Sequence, residues 1–240
     1  MGKLSRHFNI SIADLVIEIN TVSLSTSLLC YDFICEGDPD LSVCVTSQDV
    51  EHEKELDKKY RNKLNTGSYE AIAVYRKIVD AVIPLNMFLI HGAAIGVKNK
   101  AILFTAPSKT GKTTHIKKWL KNVDGAFAIN GDKPLIRMTD SAAIVCGTPW
   151  AGSEQYCIDI QVPLAAIVIM ERNEKNEIEE IAFKEAYPFL LKQTYLPKER
   201  DKAKKVLGYL NRLNGLVRFY RFRFNNFAED CLQVAYDAIV

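Results

Sequence analysis

Residues 101–114 read AILFTAPSKTGKTT. The fold turns on whether this is a phosphate-gripping turn between strand and helix, or an ordinary strand–turn–helix with a surface lysine. A nucleotide loop needs an apolar strand to deliver it and small residues that let backbone N–H groups face phosphate. It also needs a helix starting beneath it, whose N-terminus carries partial positive charge and free N–H groups. AILFT supplies the strand and THIKKWL the helix. Against the pattern GxxxxGK[ST] the segment departs only at its first position, where Ala106 is the smallest replacement for glycine. Lys112 is then expected to reach the β- and γ-phosphates, and the Thr113 hydroxyl to coordinate Mg2+.

Such a loop needs a carboxylate from a neighbouring strand. GAFAINGDKPLI offers one, an apolar run ending in Asn130-Gly131-Asp132. Asp132 at a strand end could take a proton from an attacking hydroxyl or help hold the metal. The competing reading is a plain turn, since Asn-Gly and Asp are strong turn formers.

Working outward, FLIHGAAIGV (88–97) and AILFT (101–105) read as a buried hairpin joined by KNK. Ile116, Trp119 and Leu120 mark one face of the following helix. Further strands are expected at GAFAI, PLIRM, AAIVC, LAAIVIM and LVRFYRFRF. Helices are expected near 184–193, near 198–213, and at the end with Leu232, Ala235 and Ile239. Upstream, a helix capped by Ser68 carries Ile72, Tyr75, Val79 and Val82, with Pro84 beyond its end. From Asn9 to Val45 apolar and polar residues alternate in short runs, broken at EGDPD, which predicts a small β-rich module. The charged stretch DVEHEKELDKKYRNKLN fits a short helix or a solvated connection, and its mixed signs favour a linker or exposed face over an interaction tail. Intermingled strands and helices favour an α/β fold: a mixed, β-rich core with covering helices. The expected division is a β-rich module over 1–65 and a nucleotide-binding domain over 66–240.

Composition bounds the function. The chain has 240 residues, 48% hydrophobic and 25% charged, with net charge +2, so nothing calls for a nucleic-acid or membrane partner. No apolar run approaches the roughly 20 residues that cross a bilayer. The start MGKLSRHFNISIADL lacks a secretory signal's apolar segment, and its serine at position 5 rather than 6 argues against myristoylation. A cytoplasmic protein is expected. The six cysteines show no CxxC or zinc spacing and read as reduced thiols packed as small hydrophobes.

Four segments together, HGAAI (91–95), APSKTGKTTH, NGDKP and GTPWAGS (147–153), resemble the HPr kinase/phosphorylase-like family in order and spacing. That family's core is related to ATP-dependent phosphoenolpyruvate carboxykinase. The resemblance covers roughly residues 68–200 and implies an unusual phosphate loop on a β-rich mixed core. It implies that His91 lies near the transferring phosphate, paired with Asp132 as general base, with Lys112 as the third catalytic group. The nucleotide-binding run is then Ser108, Lys109, Thr110, Gly111, Lys112, Thr113 and Thr114, with amides of 108–111 around the β-phosphate. Thr113 and Asp132 are the implied metal ligands, and GTPWAGS is a second wall with Thr148, Trp150 and Ser153 toward the acceptor. Two departures stand out. Gly131 replaces the first of two acids common in the family, a loss that Glu154 or Asp140 could offset. Lys109 stands where a glycine is common.

The resemblance therefore implies an ATP- and Mg2+-dependent kinase that phosphorylates a serine-like hydroxyl on a peptide or small molecule. Small relatives stand beside peptide-modifying systems, including lasso-peptide tailoring, which makes a peptide hydroxyl a candidate acceptor. No signature of the region that recognises HPr is present, which argues against HPr itself. A 240-residue chain leaves little room for a carboxykinase's substrate domain. The alternative is a non-catalytic nucleotide-binding regulatory module, silenced by the missing acid at 131. Family members often assemble, so a homo-oligomer is a further expectation.

Overall fold

Alternation near the N-terminus produces a hairpin in the computed structural model, which describes residues 4–58 and 64–240. Strands β1 (His7–Ile12) and β2 (Leu15–Asn20) pair antiparallel and bury Phe8, Ile10, Ile12, Ile17 and Ile19. A short helix α1 (Ser25–Leu29) leads to β3 (Ile34–Cys35) and β4 (Leu41–Cys44), giving a four-stranded sheet in the order β3-β1-β2-β4.

Two helices complete this unit, α2 (Ser47–Lys58) and α3 (Thr66–Val82). Of the two readings of the charged run, short helix or solvated connection, the helix is found as α2 up to Lys58, and residues 59–63 lie outside the described residues. Its mixed charges are not all solvated. Glu53 is buried and receives Arg76 of α3 through Nε at 2.5 Å and Nη2 at 2.9 Å.

The cap of α3 is Asn65 rather than Ser68. Asn65 is extended, and its Oδ1 accepts from the Ser68 N–H at 2.8 Å, which leaves Ser68 inside the first turn. Asn65 and Ser68 are both good capping residues, so local sequence does not choose between them.

The expected division at 65/66 also moves. The compact units are Met1–Leu85 and Asn86–Val240, so α3 belongs with the β-rich module. The cause is Glu70, 1% exposed, whose carboxylate accepts from Val22 N (2.7 Å), Ser23 N (2.8 Å), Ser23 Oγ (2.5 Å) and Thr26 Oγ1 (3.1 Å).

The second unit contains β5 (Met87–Leu89), β6 (Ala93–Val97), β7 (Lys100–Thr105), α4 (Lys112–Asn122), β8 (Phe127–Asn130), β9 (Leu135–Met138), β10 (Ala143–Cys146), β11 (Gln161–Arg172), β12 (Glu177–Ile181), α5 (Phe183–Gln193), α6 (Arg200–Arg212), β13 (Arg218–Phe224) and α7 (Cys231–Ile239). Among the described residues nine strands form one mixed sheet, β5-β9-β10-β11-β7-β6-β8, with β13 paired to β11 and β12 to β13. The expected hairpin is β6–β7, turned by Lys98 and Asn99 at φ 48 and 61, the primed geometry that matches strand twist.

Strands β7, β11 and β13 run parallel, which is why AILFT and LAAIVIM read as continuous apolar runs. One face carries α4 and α7, where Ile116, Trp119 and Ala235 join Phe104, Val168 and Phe222 in a single core. The chain is a mixed α/β protein. No helix among the described residues is long and apolar enough to cross a membrane.

Candidate functional site

Strand β7 lies between β11 and β6 and releases the chain at Ala106, and α4 begins six residues later at Lys112. Gly111 ends the turn with φ 113, a conformation that glycine takes without steric cost. No side chain caps α4, so its first-turn N–H groups lack side-chain acceptors.

Lys109 sits at φ 64, the left-handed region. A glycine at this position therefore has a backbone reason, and lysine holds the same turn at about 1–2 kcal/mol. Arg172, the last residue of β11, fixes the turn. It donates Nη2 to the Lys109 carbonyl (2.5 Å) and Nε to the Thr110 carbonyl (2.9 Å). The Thr110 N–H turns back to the Pro107 carbonyl at 3.4 Å, so that amide of the expected 108–111 cradle is already engaged. Lys112 is buried, with Nζ donating to the Ala106 carbonyl at 2.9 Å. Burial lowers its pKa, against the opposing pull of the Asp132 charge.

The His91–Asp132 pair is present. Strands β6 and β8 pair antiparallel with Ala94 opposite Asn130, which draws the residues beyond their ends together. The Gly92 N–H donates to the Asp132 carbonyl at 2.9 Å, and His91 Nε2 lies 3.0 Å from Asp132 Oδ1. The other ring nitrogen, Nδ1, lies 2.9 Å from Gln193 Oε1 at the end of α5. An ionised carboxylate only accepts, so Nε2 carries a proton. Nδ1 meets the Gln193 side-chain amide, which fixes the plane of the ring.

Asp132 Oδ2 is paired with Lys133 Nζ. Burial alone would raise the Asp132 pKa, but the His91 hydrogen bond and the Lys133 charge outweigh it and hold the carboxyl well below the usual range. Asn130 shapes the turn: Oδ1 accepts from the N–H groups of Asp132 (2.9 Å) and Lys133 (2.7 Å), while Nδ2 donates to the Thr148 carbonyl (2.8 Å) and hydroxyl (3.0 Å). NGDKP is a turn and a carboxylate platform at once.

Asp132 and Thr113 line one cavity of about 230 Å³ with Ser153, Glu154 and Tyr156. Of the three residues expected on the second wall, Ser153 reaches the cavity. Thr148 is buried and bolts the NGDKP turn, and Trp150 is buried outside the cavity lining. Of the two carboxylates that could offset Gly131, Glu154 lines the cavity, paired with Lys117 at 2.8 Å, and Asp140 does not. Gly131 has its own cause: a Cβ there would meet the Ala151 carbonyl oxygen at 2.4 Å.

Ser108 and Lys109 are exposed and line neither this cavity nor the one beside it, which holds Thr110, Gly111 and Thr114. A larger cavity of about 590 Å³ opens at the opposite strand ends, near Lys100 and Arg218, without a carboxylate or histidine.

Among the described residues no three His, Cys, Asp or Glu side chains form a metal cluster. The oxygen donors Thr113, Asp132 and Glu154 fit Mg2+, which takes one or two carboxylates and completes its shell with phosphate and water. Sequence reading missed Gln193, Lys133, Arg172 and the bridging role of Asn130. Only Asn130 carried a local signal, an Asx turn before Gly-Asp.

No protein-family model matches the chain, and no curated protein matches it. Among solved structures it is similar to the HPr(Ser) kinase/phosphatase from Coxiella burnetii, at 10% identity and a TM-score of 0.37, over 62% of this chain and 89% of that chain.

Proposed function

We propose that this chain is an ATP- and Mg2+-dependent phosphotransferase acting on a hydroxyl of a peptide or small molecule. The observation that carries the reading is the Asp132–His91 pair opening on the same cavity as Thr113, beside a turn with a buried lysine and an uncapped helix start. In-line phosphoryl transfer asks little covalent chemistry of the protein and much positioning and charge stabilisation. Lys112 supplies a desolvated cation under the phosphates. Thr113 and Asp132, with Glu154, would hold Mg2+, which neutralises phosphate charge when bound. Asp132, held ionised, accepts a hydrogen bond from the acceptor hydroxyl and takes its proton late in the transfer. His91 keeps Asp132 in place. Lys133, with a side chain 42% exposed, can swing away from Oδ2 to admit the acceptor. A peptide acceptor of the kind modified in lasso-peptide tailoring is the favoured substrate class.

A second reading, a nucleotide-binding regulatory module without catalysis, draws on two observations. Both Asp132 oxygens are already engaged, and position 131 cannot take a second acid without a backbone clash. The test is purified protein with ATP, Mg2+ and serine-containing peptides. Transfer that Asp132→Asn abolishes, while nucleotide binding persists, supports the kinase. Binding without transfer to any acceptor supports the module, and Lys112→Ala with unchanged nucleotide affinity would sink both.

A further inference from the structure

The start of α4 separates two cavities. Thr113 and Ile116 face the Asp132 cavity, while Gly111 and Thr114, with Thr110, face a second one of about 350 Å³. Residues three apart share a helix face, and these two faces are about 100° apart around the axis. A triphosphate seated on the turn with its terminal phosphate toward Asp132 would extend its other end into the second cavity.

That cavity is furnished for a flat polar ligand. Its far wall is the end of β11 and the segment after β13, with Arg172, Asn173, Phe224, Asn226 and Phe227. Phe227 is 98% exposed, a bare aromatic face at the rim of a pocket that mixes apolar surface with amide side chains. Asn226 is anchored, donating Nδ2 to the Gly111 carbonyl at 3.1 Å, so the wall and the turn are held together. The Asn173 backbone N–H is bonded to the Phe224 carbonyl, whereas its side-chain amide makes no hydrogen bond within the described residues. An amide offers one donor and one acceptor side by side, the complement of a nucleobase edge. The volume is in the range of small-ligand pockets, which begin near roughly 300 Å³.

We infer that the cavity between the 110–114 turn and the ends of β11 and β13 is a nucleoside subsite, in which Phe227 stacks on the base and the Asn173 amide reads its edge. The inference rests on the nucleotide reading above and extends it to the half of the ligand that does not react. Stacking of one base on an aromatic side chain corresponds to roughly 5- to 150-fold in affinity.

Calorimetric titration separates the parts. ATP with Mg2+ probes turn and subsite together, and inorganic tripolyphosphate with Mg2+ probes the turn alone. The wild type is expected to bind ATP more tightly than tripolyphosphate. Phe227→Ala should weaken ATP at least fivefold and leave tripolyphosphate unchanged, while Phe227→Trp should retain ATP. Asn173→Ala should narrow the preference among ATP, GTP and CTP. The subsite is refuted, with the phosphate turn left standing, if tripolyphosphate binds as tightly as ATP or if Phe227→Ala binds ATP like the wild type. An equal loss of both probes in Phe227→Ala also refutes it, since the turn itself would then be disturbed. If the wild type binds neither probe, the nucleotide reading and the subsite fall together. Phe227 is almost wholly exposed and its one hydrogen bond to Asn225 is made by the backbone N–H, so the variant is expected to melt with the wild type.

Discussion

Replacing Gly131 with aspartate would write into this chain the first of the two acids common in the family its motifs resemble. The structure argues that the replacement damages the site rather than completing it. A Cβ at 131 would lie 2.4 Å from the Ala151 carbonyl oxygen, against roughly 3.5–4.0 Å for a relaxed non-bonded contact. The obstacle is backbone, so no rotamer relieves it, and the 130–132 turn must move away from the 147–153 segment. Overpacking of this kind costs about 1–3 kcal/mol. For a chain of this length each kcal/mol shifts the melting temperature by about 2–4 °C, so a drop of about 2–12 °C is expected. Gly131→Ala isolates the Cβ, and Gly131→Asp adds a second negative charge beside Asp132. Thermal melts of both variants, paired with a phosphoryl-transfer assay, read the outcome. A Gly131→Ala protein that melts with the wild type would refute the close-approach argument. A Gly131→Asp protein with raised Mg2+-dependent transfer would refute the expectation that the replacement damages the site rather than completing it.

Other consequences can be measured separately. Gln193→Leu removes the Nδ1 partner of His91 and should lower kcat about tenfold or more with little change in KM; an unaltered kcat means Gln193 is only packing. Glu70→Ala leaves four donors without their acceptor and should destabilise the β-rich unit by about 3 kcal/mol or more, read as a lowered urea midpoint, with Glu70→Gln recovering part of the loss. His115 is buried, and that desolvation, helped by the Lys118 charge, lowers its pKa to about 3. Its unfolded state binds the proton first, so stability is full above about pH 6.5 and falls by roughly 1.4 kcal/mol per pH unit as the pH drops toward 3. Asp132, whose folded pKa is depressed, adds its own loss only below about pH 4, so the interval between belongs to His115. His115→Gln, which keeps an acceptor for Trp119 Nε1, should flatten the slope there; urea midpoints across pH 4–7 that stay parallel to the wild type would contradict this.

The second unit was largely legible because its strands are buried on both faces and announce themselves as unbroken apolar runs, with KNK and Gly111 as punctuation. The strand–turn–helix around Gly111 was legible from its punctuation, whereas the left-handed backbone at Lys109 and the grip of Lys112 on the Ala106 carbonyl emerge only in the fold. The His91–Asp132 pairing came from the motif resemblance rather than from local pattern. It spans 41 positions and depends on the β6–β8 register, which no short window contains. Gln193 is farther still, 102 positions from His91. The domain boundary was misread for a related reason. The helical period of α3 shows that a helix exists, while its allegiance is decided by Glu70 and partners 44 to 48 residues upstream.

Lys112 bending back to the Ala106 carbonyl has a consequence for the free protein. Its ammonium gave up most of its hydration when the chain folded, and a single carbonyl is a meagre replacement. On the proposed reading, an arriving phosphate would meet a cation with little water left to shed, and the affinity gained on binding would be matched by a weakness in the unliganded fold. Under that reading, activity and robustness would pull in opposite directions at this side chain. Lys112→Met is expected to give a protein that melts higher than the wild type and no longer binds nucleotide, a more durable molecule with nothing left to do.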